Sequence, residues 1–221
     1  RTRVGRDGPQ AAIALLAPAI DESRRYDAVR SRARLVAATL AEALDAALPG
    51  RIAKYDDAFN PRAFGDLMQA WGTSTVLIES GALPNDPDKQ QLRRWHVAAI
   101  IAALDAIGTG TYAQADPTRY EALPVNTGGA YDLLVRGGQL VLPGQAPLVA
   151  DVAINFDDPV ARTGARVREV GDLTAAVAID TVDARGRFVH PGIAPLPIGA
   201  AVTLTIRTGA DVGSTVVTTV R

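Results

Sequence analysis

The chain has 221 residues, 48% hydrophobic and 21% charged, which is enough apolar material for an ordinary globular core and enough length for two small domains. Twenty-three basic residues against 24 acidic ones leave a formal net charge of -1 with no extended basic patch, which argues against nucleic acid or an anionic membrane as the main partner. The absence of cysteine excludes a disulfide framework and selects no compartment, and no segment reaches the ~20 apolar residues of a membrane-spanning helix.

Residues 11–16 are a short apolar strand candidate ended by Pro18. Over 26–48, Val29, Ala33, Val36, Leu40, Leu44 and Ala47 recur at three- and four-residue steps and predict a helix, which Pro49-Gly50 stops. Arg24, Arg25, Arg30, Arg32 and Arg34 read as its solvated face. Residues 51–55 are a short strand, and 61–70 a short helix with Asn60 as cap and Pro61 at its first position. Asp56 and Asp57 are adjacent on a turn and point apart, which favours capping or solvation over an acid–base pair. The β-branched, apolar run 73–78 reads as a buried strand with Glu79 at its end. Residues just past the carboxyl end of a strand line the ligand crevice of α/β sheets, so Glu79 is the first functional candidate; the plainer reading is a solvated or arginine-paired glutamate. Asp86-Pro87-Asp88 caps a long helix through Ile107. Its Leu92, Trp95, Val97, Ala99, Ile100, Ile101, Ala103 and Leu104 leave little polar face, so it is expected to be largely buried against the sheet.

Composition changes after Pro124-Val125-Asn126-Thr127-Gly128-Gly129, read as a linker. Beyond it, 131–136, 139–142, 148–155, 165–170, 177–182, 187–189, 201–207 and 214–220 are β-prone runs separated by Gly, Pro and Asp, the spacing of a small β-sandwich or barrel. Gly128-Gly129 and Gly137-Gly138 read as hairpin punctuation, since no Lys-Ser/Thr or helix start follows to make a phosphate loop. Asp132-Leu133-Leu134-Val135-Arg136-Gly137-Gly138 and Asp183-Ala184-Arg185-Gly186-Arg187-Phe188-Val189-His190-Pro191-Gly192 resemble the small β-domain that flanks amidohydrolase barrels. Those enzymes follow Pro-Gly with a metal-binding His-x-His; here Ile193-Ala194-Pro195-Leu196-Pro197 follows, which is shared hairpin chemistry rather than shared catalysis.

The stretch Lys54-Tyr55-Asp56-Asp57-Ala58-Phe59-Asn60-Pro61-Arg62-Ala63-Phe64-Gly65-Asp66, continued by Trp71-Gly72-Thr73-Ser74-Thr75-Val76-Leu77-Ile78-Glu79-Ser80-Gly81, resembles the C-terminal half of the catalytic domain of zinc carboxypeptidases of the pancreatic type. The resemblance implies an α/β fold over 1–125, part of a mixed-sheet α/β/α carboxypeptidase-like domain, followed by a small all-β sandwich or barrel over 126–221. It implies that Glu79 is the general base and that Tyr55 contacts substrate. Arg62 and Leu77 match segments that form the pocket for the C-terminal side chain, where Arg62 would favour an acidic residue.

The family holds zinc through a His-x-x-Glu pair and a later histidine, all upstream of the matched part. This chain has only His96 and His190, so none of its residues is assigned to metal, and Arg1, Arg3 and Arg6 are not assigned to substrate carboxylate. The implied cofactor is zinc, held in the intact protein by ligands upstream of this sequence. The implied partners are a peptide or protein substrate and the upstream half of the catalytic domain, with no nucleic acid and no membrane. The chain would then be a C-terminal portion, inactive alone and prone to poor stability or self-association through exposed apolar surface. The competing expectation is a non-catalytic binding or packing module built on the β-domain.

Overall fold

The computed structural model describes all 221 residues, which divide into two compact units: Thr2–Gly128, and Gly129–Arg221 together with Arg1. Both are mixed in strand direction, and the chain as a whole is a sheet-rich α/β protein.

In the first unit, β1 (Thr2–Val4) pairs antiparallel with β5 (Asn126–Gly128), so the expected linker is instead a short strand. A three-stranded sheet has β2 (Ile13–Leu16) at its centre, parallel to β3 (Ile52–Lys54) and antiparallel to β4 (Leu77–Ser80). All four residues of β2 are buried, as a central strand covered on both faces requires. Helix α1 (Ala28–Asp45) opens on Asp27, whose carboxylate accepts the Arg30 N–H at 2.8 Å, and buries Ala33, Ala37, Leu40, Ala41 and Leu44 over Ile13, Leu15 and Ile52.

Three expectations fail here. Helix α2 (Phe64–Ala70) is not capped by Asn60: that side chain accepts the Arg62 N–H at 3.0 Å, and Asp66 accepts the Asn60 N–H at 2.9 Å, closing a separate turn before the helix. Strand β4 starts at Leu77 rather than Thr73, because the Thr73 N–H donates to the Met68 carbonyl and the Thr75 N–H to the Gln69 side chain, tying that stretch to α2. Helix α3 (Gln90–Thr109) takes Asp86 as its cap, through the Gln91 and Leu92 N–H groups at 3.1 and 2.9 Å, but it is not largely buried. Only Leu92, Ala99, Ala103 and Ala106 are buried, whereas Val97, Ile100, Ile101, Leu104 and Ile107 stay 47–63% exposed. Three strands at about 4.8 Å spacing span roughly 10 Å between outer strands, and two helices of about 10 Å diameter side by side need twice that, so α3 overhangs.

After a 3-10 turn at Thr111–Gln114, the short α4 (Thr118–Glu121) sends Tyr120 into the core, where its hydroxyl accepts the Ala17 N–H at 3.0 Å.

The second unit is one large mixed sheet and not a closed barrel. Its longest members are β6 (Ala130–Leu140) and β7 (Leu148–Asp158), followed by β8 (Thr163–Gly171), β9 (Val177–Asp183), β10 (Phe188–Pro191), β11 (Leu204–Arg207) and β12 (Val216–Val220). The order is β12-β11-β10-β6-β7-β8, with β9 also on β6. Gly137-Gly138 is not a hairpin turn but lies inside β6 at a bulge. Gly137 has φ 64°, and a Cβ on Gly138 would stand 2.3 Å from Val189 Cγ2. Before the bulge β6 runs parallel to β9; after it, Gln139 and Leu140 run parallel to β10. The core gathers Leu133, Val135, Ile154, Val167, Val189, Leu204, Ile206 and Val220. Buried Asp132 accepts the Phe156 N–H and pairs with Arg1 at 2.5 Å, which fastens the first residue to this unit.

Two measurements check this packing. Gly81 holds the end of β4 against β2, and a Cβ there would lie 2.0 Å from the Ala11 carbonyl oxygen, so Gly81→Ala is expected to cost at least ~2 kcal/mol in urea unfolding. Burial pushes the Tyr120 phenol up from 10.0 to about 12. A raised native value means that the neutral phenol's contribution is full below pH ~10 and fades as pH rises toward ~12. Tyr120→Phe should therefore cost about 1–2 kcal/mol at neutral pH and flatten the alkaline loss of stability.

Candidate functional site

The sheet of the first unit has two chemically different faces. Ile13, Leu15 and Ile52 point to the helices, and Ala14 and Ala53 to the other side. Glu79 pairs directly with Ala14, and Ala14 with Ala53, so the three form one row on the face away from α1 and α3. Both alanines are buried on that face, packed with Val4 and Ala11. Glu79 is half-buried on it and forms no salt bridge or side-chain hydrogen bond. Leu77, two residues back and 39% exposed, stands on the same face opposite Leu16. Tyr55, just past β3, extends the parallel ladder by donating its N–H to the Leu15 carbonyl at 2.9 Å, so the row of Tyr55, Leu16 and Leu77 runs beside that of Glu79.

The structure thus gathers Glu79, Leu77 and Tyr55 on one face. Arg62 is not among them; it lies exposed in the turn before α2. Glu79 also differs from its expected setting. It lies within β4 rather than past its end, and β4 is antiparallel to β2, so it runs away from the edge where β2 and β3 end. The strand-end crevice argument, which assumes parallel neighbours, therefore does not apply to it.

The edge where β2 and β3 end holds a different group, one the sequence did not single out. Arg30, 1% exposed, donates to the Ala17 carbonyl at 3.1 Å, to the Arg24 carbonyl, and to Asp57 at 2.6 Å. Its guanidinium stacks on Tyr26 at 4.4 Å from the ring centroid, and Arg34 stacks on the same ring at the same distance while pairing with Glu121. Arg24 reaches the other Asp57 oxygen at 3.2 Å, and Arg32 donates to Ser74 Oγ. Arg24, Arg25 and Arg32 are exposed as expected, but Arg30 is buried and Arg34 half-buried, and Asp57 is neither a cap nor fully solvated. Asp56 alone fits that expectation, accepting the Ala58 N–H. Partial desolvation raises the Asp57 carboxyl, but the Arg30 hydrogen bond and charge, with Arg24 and Lys54, outweigh it and hold the group below its ordinary value. Desolvation likewise pushes the Tyr26 phenol up. Buried Gln69 completes the edge, donating to the Pro18 carbonyl at 3.0 Å and accepting the Thr75 N–H at 2.7 Å. An acid three residues beyond Lys54 and a row of arginines in one helix were the available signals, but neither says which arginine turns inward.

The donors present do not fit a zinc site. No three His, Cys, Asp or Glu side chains converge. His96 Nδ1 is engaged with the Leu92 carbonyl on its own helix, and His190, in the other unit, lies 3.2 Å from the Gly209 carbonyl.

Asp57→Ala should cost about 2–3 kcal/mol, less than a fully buried pair because Asp57 is partly exposed, since it strands the Arg30 guanidinium. A depressed native value means that this contribution is present above pH ~4 and fades as pH falls, so the gap between wild type and variant in urea unfolding should narrow in acid. The double variant Arg30→Met, Asp57→Ala should recover part of the loss.

No family model matches the chain, and no curated protein matches it. Among solved structures, one match is the crystal structure of N-acyl-D-glutamate deacylase from Bordetella bronchiseptica, complexed with zinc and a phosphonate inhibitor. It is 28% identical over 28% of this chain, with a TM-score of 0.24. The match spans 12% of the deacylase.

Proposed function

We propose that this chain is the C-terminal portion of a zinc metallocarboxypeptidase, with Glu79 as its general base. One observation carries the reading. In the segment that resembles that family, Glu79 is a half-buried carboxylate with no cationic partner, standing on a face floored by Ala14 and Ala53. A half-buried carboxylate left unpaired can take a proton from an attacking water as the carbon–oxygen bond forms, then deliver it to the amine as the carbon–nitrogen bond breaks. Tyr55 and Leu77 border the same face, Tyr55 with a hydroxyl for a substrate polar group and Leu77 with apolar surface for a side chain. Arg62, in its exposed turn, would meet an acidic C-terminal side chain only after that turn moves toward the face. The metal of this family would be held by upstream residues.

In the protein expressed with its upstream reading frame, Glu79→Gln is expected to lower release of C-terminal residues from a mixed peptide library by at least ~100-fold, with the melting temperature unchanged. Undiminished release would overturn the assignment. Tyr55→Phe should cost less. Across peptides differing only in the last residue, a preference for Asp or Glu lost in Arg62→Ala would support that specificity, and no such preference would end it.

A second reading is favoured by the scattered metal donors: a non-catalytic module whose β-rich unit binds or packs. An upstream reading frame containing His-x-x-Glu supports the peptidase; a frame without it supports the module.

A further inference from the structure

We propose that the groove between α1, β4 and α3 is a binding site for a medium-chain aliphatic carboxylate, with Arg32 holding the head group. The groove has a volume of about 400 Å³, within the ~300–1,000 Å³ of small-molecule sites. Its walls include Val36 and Leu40 of α1, Ile78 of β4, and Ile100 and Leu104 of α3, and the polar groups on the lining are Arg32, Ser74 and Tyr112. Strand direction gives the groove two unlike ends. Helix α1 crosses between the parallel strands β2 and β3 and so runs against them, and β4 is antiparallel to β2, so α1 and β4 run the same way. At one end Arg32 Nε donates to Ser74 Oγ at 3.1 Å, and that hydroxyl donates to the Val29 carbonyl at 2.8 Å. About 12 Å further along α1 the lining is Leu40, and on the other wall Ser74 gives way to Ile78 in the same direction.

Charge selects the occupant. Arg32 is the one charged residue on the lining, and it forms no ion pair, whereas Arg30 and Arg34 of the same helix are already matched by Asp57 and Glu121. The bond from Nε to Ser74 fixes the guanidinium at the end of the groove and leaves both Nη groups for an anion, the fork that a carboxylate fits. Tyr112 adds a hydroxyl with no hydrogen-bond partner in the chain. A cation gains nothing from this lining, and a phosphate dianion would leave one charge unmatched by the single arginine. A zigzag chain advances about 1.2 Å per bond, so the ~12 Å from Arg32 to Leu40 accommodates a tail of about ten carbons. The site does not rest on the peptidase reading.

Titration of the methyl-labelled 221-residue chain with alkanoates, followed by NMR, is the test. Decanoate is expected to give saturable shifts at Leu40, Ile78 and Ile100 while Val167 and Val189 of the second unit stay unmoved. The dissociation constant should fall about two- to fourfold per methylene from hexanoate to decanoate and level off at dodecanoate. Octanoate should bind about tenfold more tightly than octanol, and Arg32→Met should remove that preference with circular dichroism unchanged. Ile100→Glu, at a position 47% exposed, should weaken decanoate binding by at least ~10-fold. No saturable shift at millimolar decanoate, shifts spread over both units, or binding indifferent to Ile100→Glu overturns the site; octanol binding as tightly as octanoate, or a preference for octanoate that survives Arg32→Met, overturns the carboxylate as its ligand.

Discussion

The guanidinium of Arg30 is the constraint on which the first unit depends. It joins three stretches of chain that the backbone ladders do not join at this point: the exit of β2 at Ala17, the loop at Arg24, and the segment past β3 at Asp57. A buried cation is tolerable only where its donors are met and its charge is balanced, and here two carbonyls, one carboxylate and the face of Tyr26 do both. Because the charge cannot move without being stranded, the ends of two parallel strands are held in a fixed relation to α1. Tyr120 and Gln69 extend the arrangement by satisfying Ala17 and Pro18, the two residues at which β2 leaves the sheet.

That edge is where an α/β sheet ordinarily receives ligands, and in this chain it is filled by interactions that satisfy one another. On the face away from the helices, Ala14 and Ala53 are buried with Val4 and Ala11, and Glu79 stands half-buried and unpaired at the end of their row. The division matters chemically. A carboxylate held by an arginine is poor at accepting a proton, as Asp57 illustrates. The two acidic groups differ in what faces them: Asp57 meets Arg30 and Arg24, and Glu79 meets no cation.

Much of the first unit was legible in the sequence because its signals are local. The helical periodicity of α1, the stop at Pro49-Gly50 and the Asp86 cap all depend on residues a few positions apart. What was not legible depends on partners distant in sequence. Nothing near Arg30 says that Asp57 will neutralise it, and nothing within α3 says that the sheet beneath is too narrow to cover its apolar side. The direction of β4, and with it the setting of Glu79, is likewise a property of the whole sheet. In the second unit, the apolar positions Leu133, Val135 and Leu140 face one core although they change from odd to even across Gly137-Gly138, and that break in alternation reads as two strands with a turn between them.

The bulge in β6 has a further meaning for how this sheet grows. One edge of β6 pairs with β7 from Leu133 to Leu140 across the bulge, while its other edge receives β9 along the first stretch and β10 along the second, with the two glycines marking the change. A single strand thus serves as template for two successive neighbours on one side. The sheet therefore forks at β6: β9 pairs with that strand alone, so the longer interior strand raises the number of strands and leaves one more strand edge outside the main order.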